Sequence, residues 1–448
     1  MFDLSQQAIE GTSEDGTANT RVHLTLEHYR VLALSSMGGM LEYYEFTIFI
    51  FLSPFISQVF FPGSSPAWIK ELQTLTIFAA GYFTRPFGGI ILSSLGDRLG
   101  RKRMFALSVL IMAFPTMLIG LLPGYDRAGF LAPAALLICR LFQGVALGGE
   151  LPTAMVFVSE HVPQRRLGLA FGVIGSSVVL GFVLASGLIR EMLMHFSHEQ
   201  FVAFAWRVPF VIGGCFGFLS SFLRRYVSET PVFREMRARK VLGGGNPVKM
   251  LISRYRHETL LCLILSIVPG VVIPGVHIFP AVYLETWRHF DPRIVSNGLF
   301  WLQITMLFSS IAGGLVVDAL GWQRAIVGTF LALIVVIFCF YAFIQLQTVT
   351  IWFCLLGVFL SGLIMLYSPL VVSFPAQIRL TGISTVYNIS AAVFGGTTPI
   401  VMQLLAHQSQ WGVAIYPAAV ILVGAATVPL LWRLRKPLFA VTDQGNER

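Results

Sequence analysis

The sequence predicts an all-α polytopic membrane protein, with twelve transmembrane helices in two pseudo-symmetric six-helix halves. Three observations lead there. Of 448 residues, 55% are hydrophobic and only 12% are charged, against about 25% charged in a typical soluble domain, and the mean hydropathy is +0.75. The apolar residues form continuous runs parted by short polar stretches. One loop motif recurs about half a chain later. About twelve segments of ~20 residues would consume ~240 positions and leave only loops and tails. A soluble enzyme, a coiled coil and a disordered chain are excluded, because none could hide this much apolar surface. A β-barrel is excluded because its strands alternate apolar and polar residues.

Hydropathy, read with charged and Gly/Pro punctuation, places the helices in order. The polar stretch 1–28 has no apolar core of signal-peptide length, so it reads as a tail ahead of a first helix at 31–60. Helices follow at 72–95, 104–122, 130–158, 167–189 and 207–225, completing a first half over 29–225. The basic segment 226–257 is the one long polar interruption and reads as a linker. Runs at 259–285, 294–317, 324–345, 350–373, 382–406 and 411–433 make the second half, 258–434, and 435–448 is a C-terminal tail.

The net charge of +9 is explained by its placement. Cations cluster at Arg98, Arg101, Lys102 and Arg103, at Arg165 and Arg166, from Arg224 to Arg256, and at Arg433, Arg435 and Lys436. The intervening loops hold one or two each. That alternation puts the rich loops and both termini in the cytoplasm, with the lipid bilayer rather than nucleic acid as the partner of the charge. Cys139, Cys215, Cys262, Cys339 and Cys354 lie singly in apolar runs, so neither a disulfide framework nor a metal site is expected.

The halves read as copies. Asp97 and Gly100, in Gly96-Asp97-Arg98-Leu99-Gly100-Arg101-Lys102, follow the second helix. Asp318 and Gly321 follow the eighth at the same spacing, 221 residues later. Parallel repeats suit a carrier that rocks about a central site.

Five ionisable residues fall inside predicted spans, all in the first half: Glu42 and Glu45 in helix one, Arg85 in helix two, Arg140 and Glu150 in helix four. Charges at membrane depth are costly and mark pathways or binding sites. Glu42 and Glu45 are three residues apart on one helix face, and acids that close disfavour each other's ionisation. With Glu150 they are candidates for proton coupling. Arg85 and Arg140 present guanidinium groups that suit a substrate carboxylate. Two arginines against three glutamates leave one negative charge, which one proton would cancel. The plainer alternative is permanent pairing, Arg140 with Glu150 or Arg85 with Glu42. Tyr43 on the first half and Tyr387 and Asn388 on the second are further candidate substrate contacts, with interhelical hydrogen bonding as their alternative role. His277 reads as a satisfied buried histidine rather than a relay. Glycines 144, 148 and 149, and 168, 172 and 175, recur at the spacing of close helix interfaces.

Several signatures together resemble the metabolite:proton symporter branch of the major facilitator superfamily. They are Gly39-Met40-Leu41-Glu42-Tyr43-Tyr44-Glu45-Phe46, Arg85-Pro86-Phe87-Gly88-Gly89, Arg140-Leu141-Phe142-Gln143-Gly144 with Gly148-Gly149-Glu150, Trp206-Arg207-Val208-Pro209-Phe210, Glu229-Thr230-Pro231-Val232-Phe233, and Arg379-Leu380-Thr381-Gly382 with Tyr387-Asn388. The resemblance implies a monomeric carrier of a bacterial inner membrane. It would import a small organic anion or zwitterion (a carboxylate metabolite, a betaine or an amino-acid-like solute) with protons by alternating access, using no cofactor beyond the coupling proton. It also implies a gating role for Asp97, Arg98, Arg101 and Asp318, in a cytoplasmic latch whose acid faces a helix N-terminus. The second copy carries Ala319, Trp322 and Gln323 in place of basic residues, so the latch is expected to be asymmetric. Glu45 replaces the branch's commoner Asp and Tyr43 its Trp, changes that admit an atypical, larger metabolite. A same-fold exporter or proton-independent carrier of drugs or siderophores is the alternative. A membrane enzyme is disfavoured because the histidines are scattered.

Overall fold

The computed structural model describes residues 25–239 and 246–443, with the side chains of 434–443 outside the description. Among the described residues, eleven helices are long and apolar enough to cross a membrane, and twelve when the bent pair His198–Ala205 and Arg207–Tyr226 counts as one span. In the first half they are α1 (Leu26–Phe60), α2 (Ala67–Leu99), α3 (Arg101–Leu121), α4 (Leu131–Ser159), α5 (Leu167–His195) and α6 (Arg207–Leu223). In the second they are α7 (Arg256–Thr286), α8 (Pro292–Leu320), α9 (Trp322–Phe343), α10 (Leu346–Ser373), α11 (Arg379–Gln408) and α12 (Gln410–Asp443). Each predicted run has its helix. Most run a few residues past the hydropathy limits, because charged ends such as Arg101 and Arg379 keep helical geometry at the loops. The helix of α12 continues into the stretch read as a tail, and most of the predicted N-terminal tail lies outside the described residues. The linker carries short helices at Pro231–Ala238 and Pro247–Ser253, each opened by a capping Thr230 or Asn246 and a proline at its first position.

The repeat is visible in the backbone. Gly100 (φ 119°) turns α2 into α3, and Gly321 (φ 80°) turns α8 into α9. Both angles lie where only glycine is comfortable. The glycine ladder of α4 packs on α2 so tightly that a Cβ on Gly144 would lie 1.9 Å from the Gly81 carbonyl oxygen, and one on Gly148 2.1 Å from that of Arg85. Gly168 of α5 meets Gly314 of α8 in the same way across the halves.

The halves join chiefly toward the end bearing the basic loops. There α2 and α4 pack on α11, and α5 on α8, while Phe182 of α5 also meets His277 of α7 deeper in the bundle, ring centroids 5.3 Å apart. Among the described residues, every hydrogen bond between the halves lies between this basic end and the depth of Arg85. The molecule is thus closed at its basic end.

Candidate functional site: a charged chamber and a latch

Four of the five charges predicted in the first half gather near mid-depth. Arg85 donates from Nη2 to Glu42 Oε1 at 3.0 Å and from Nε to Asn388 Oδ1 of the other half at 2.8 Å. Tyr387 lies beneath it, ring centroid 5.6 Å from the guanidinium carbon. Of the two internal pairs considered from sequence, the Arg85–Glu42 pair forms and the Arg140–Glu150 pair does not.

Arg140 and Glu45 form the second group. The Arg140 guanidinium lies over Phe49, its central carbon 3.5 Å from the ring centroid, with Phe78 at 5.6 Å. Its Nε and Nη2 lack hydrogen-bond partners, and no ion pair among the described residues includes it. Thr116 spends its hydroxyl proton on the Met112 carbonyl at 2.8 Å. It must therefore accept from Gln143 Nε2, which lies 2.7 Å away and also donates to Glu45 Oε2 at 3.1 Å. That fixes the Gln143 amide and pins one oxygen of Glu45. Glu45 Oε1, Glu42 Oε2 and Gln143 Oε1 are buried without partners. A narrow cavity lined by Glu42, Glu45, Arg140 and Gln143 opens among them, walled by Phe46, Phe78 and Tyr82, with room for about one or two water molecules. Those three rings stand 5.2–6.0 Å apart, and Tyr43 extends the wall through Phe182, 5.0 Å away.

Glu150 departs from the sequence reading. It does not line the chamber, although its charge reaches Glu42; it is fully buried, with Oε1 2.7 Å from Arg224 Nη2 and Oε2 accepting from Ser108. Arg224 looked like the first member of a solvated basic run. It is instead fully buried, donates also to the Leu34 and Phe105 carbonyls, and lies 3.6 Å over the Phe105 ring. An acid so matched has the geometry of the packing alternative rather than of a chamber residue. Asn388 takes its alternative role, interhelical hydrogen bonding. Its Oδ1 serves Arg85 and its Nδ2 donates to Gly148 O at 2.7 Å and Ser384 O at 2.8 Å, which leaves it no donor for a substrate. Arg85 is likewise committed, so Arg140 is the arginine left open.

At the basic end, Asp97 Oδ2 accepts from the backbone N and hydroxyl of Thr381, at 2.9 and 2.8 Å, in the first turn of α11, where the helix dipole favours an anion. Arg101 pairs with Asp97 at 3.2 Å and Glu160 at 3.4 Å, and donates to the Ala376 carbonyl. Glu160 pairs across the halves with Arg379 at 3.0 Å and accepts from Thr230 of the linker at 2.7 Å. Phe233 of the linker covers Arg101 at 4.9 Å. In the second copy Asp318 accepts from the amides of Gly168 and Leu169 at the start of α5, at 2.7 and 3.1 Å. Arg98 is exposed and takes no part in these ion pairs, because it points from the outer face of α2. Sequence reasoning also missed Gln143, Glu160 and Arg379 as site residues. Gln143 and Arg379 stand inside the quoted signatures, whereas nothing local marks Glu160.

Comparison with known proteins supplies the family. The chain matches the Major Facilitator Superfamily over residues 36–396. It is 29% identical to a proline/betaine transporter of Escherichia coli, covering 93% of this chain and 86% of that one. It is 28% identical, with the same coverage, to a glycine betaine/proline/ectoine/pipecolic acid transporter of Dickeya dadantii. Among solved structures, the proton:xylose symporter XylE superposes with a TM-score of 0.72 at 14% identity, over 91% of this chain and 95% of that one. A human organic anion transporter superposes with a TM-score of 0.68 at 13% identity, over 90% and 99%. With eleven apolar spans among the described residues, twelve counting the bent pair, and these relatives, the chain belongs to the Major Facilitator Superfamily and is a multi-pass membrane transporter of solutes, not an enzyme.

Proposed function

We propose that the protein imports a small carboxylate-bearing zwitterion or organic anion together with protons, by alternating access, across a bacterial cytoplasmic membrane. The basic end faces the cytoplasm in this reading, as the placement of Lys and Arg requires, and the protein works as a monomer. The observation that carries the proposal is Arg140: a buried guanidinium with two unpartnered nitrogens at a cavity shared with Glu45. An uncompensated buried charge costs several kcal/mol, and a substrate carboxylate bonded to two of its nitrogens would offset that cost.

The charge count supports coupling. With Glu150 and Arg224 cancelling each other elsewhere, two glutamates face two arginines in the chamber. A bound organic anion adds one negative charge, and one proton on Glu45 or Glu42 removes it; a zwitterion brings its own cation and adds none. The aromatic wall of Phe46, Phe78 and Tyr82 suits a cationic ammonium at the substrate's other end, which agrees with the betaine and proline named for the relatives. The cavity is smaller than such a solute, so these rings must part to admit it.

The test is uptake of labelled proline and glycine betaine into proteoliposomes under an imposed pH gradient. Wild type accumulates substrate when the lumen is alkaline. Arg140→Ala loses binding. Glu45→Gln keeps substrate exchange at equal pH but loses accumulation. Uptake that ignores the gradient, or full accumulation by both Glu42→Gln and Glu45→Gln, overturns the reading.

A further inference from the structure

We propose that Asn388 is the coupling residue that carries the charge state of Glu42 to the gate at the basic end. The inference rests on the proton-coupled reading above and names how that reading reaches the gate. One face of α11 carries Thr381, Ser384 and Asn388 at spacings of three and four, so they stack along one line, about 10 Å long at 1.5 Å per residue. All three bond the first half. Thr381 holds Asp97, Ser384 donates to Gly148 O at 3.0 Å, and Asn388 holds Gly148 O and Arg85. The backbones meet there because Gly89 has no side chain: a Cβ would lie 2.5 Å from Asn388 Nδ2 and 2.7 Å from Ser384 Oγ. Latch and chamber are thus two ends of one polar seam, and Asn388 is its chamber end.

Arg85 stands between Glu42 in one half and Asn388 in the other. While Glu42 is ionised, its bond to Nη2 orients the guanidinium so that Nε meets Asn388. A proton arriving from water on Glu42 Oε2, the oxygen without a partner, removes the negative charge from that pair. The bond is then charged on the Arg85 side alone, and the Coulombic attraction between the two ions is lost. The guanidinium is then free to turn away from Asn388, and α11 loses one of its chamber-end ties, keeping the bonds to Gly148 O. Glu42 is also faced by Glu45 and Tyr43 on its own helix, Tyr82 on α2, Glu150 on α4, and Tyr367 and Tyr387 from the second half. Asn388 acts through Arg85 and is a positioning residue.

The experiment is a double-mutant cycle on the open-to-closed ratio of the basic end. Spin labels on Arg98→Cys and Leu320→Cys, exposed residues of opposite halves, report their separation in nanodiscs of a chain whose native cysteines are replaced. In the parent, Glu42→Gln shifts the ratio at least about fivefold, the lower bound of ordinary coupling between sites. With Asn388→Leu the shift falls below about twofold while substrate Kd stays within about twofold. With Ser384→Ala, which spares the Arg85 contact, the full shift remains. Should Asn388→Leu not fold, Asn388→Ser, too short to reach Arg85, gives the same loss. An equal Glu42→Gln shift with and without Asn388 overturns the inference and leaves proton coupling standing. No shift in the parent also overturns the inference, and proton coupling then stands or falls with accumulation by Glu45→Gln.

Discussion

Replacing Arg224 tests whether Glu150 packs the fold or moves protons. In Arg224→Met, Glu150 loses its 2.7 Å partner and keeps only Ser108, in a site where both side chains are fully buried. Removing one member of such a pair costs about 3–5 kcal/mol, because the other charge is left in low dielectric. The unfolding equilibrium therefore moves by roughly two to four decades. For a unit the size of one six-helix half, roughly 2–4 °C per kcal/mol makes this a fall of about 10 °C in the Tm of the purified protein. Glu150→Leu with Arg224→Met removes both charges and recovers most of that loss, since buried pairs replaced by apolar residues are often neutral. The double variant also accumulates substrate under a pH gradient. The reasoning is refuted if Arg224→Met leaves Tm unmoved, or if the double variant folds and exchanges substrate but no longer accumulates it.

Three further outcomes follow from the geometry. Gly144→Val drives a side chain into the Gly81 carbonyl and is expected to abolish folded protein, whereas Gly187→Ala, with nothing within 4 Å of its added carbon, leaves Tm within about 1 °C; size-exclusion profiles of the two decide it. Asp97→Asn weakens the two bonds to Thr381 by about 1–1.5 kcal/mol each. The basic end then opens about 30–150-fold more often, read as faster alkylation of Leu380→Cys in the seam by an impermeant maleimide. His161 sits outside the spans at the basic end, its ring tilted against Phe157 with centroids 4.4 Å apart, and burial holds its pKa below the ordinary histidine value of 6.5. The unfolded chain therefore takes up the proton first, so stability is full above that value and declines as pH falls below it. The Tm difference between pH 7.5 and 5.5 should shrink in His161→Asn.

The spans were legible because hydropathy over twenty residues is a local property, and the repeat because a glycine forced to positive φ leaves its mark at both Gly100 and Gly321. The gathering of Glu42, Glu45, Arg85 and Arg140 was legible for an energetic reason: charges at depth must face one another or water. Partner choice was not legible. Glu150 lies ten residues past Arg140 in the same helix, yet it meets Arg224, which the sequence shows only as the start of a basic run. Glu160 is a hub of the latch through Arg101, Arg379 and Thr230, residues 59, 219 and 70 positions away. Such contacts are decided by how helices cross, and no local pattern encodes that.

The two copies of the turn leave the protein with unequal fastenings. On one side Asp97, Arg101, Glu160 and Arg379 interlock beneath the linker; on the other Asp318 clasps bare amides at the start of α5. A body held by a strong clasp and a weak one does not part squarely. The side with fewer ionic ties is expected to yield first, so that the basic end would widen as a wedge rather than as a slot.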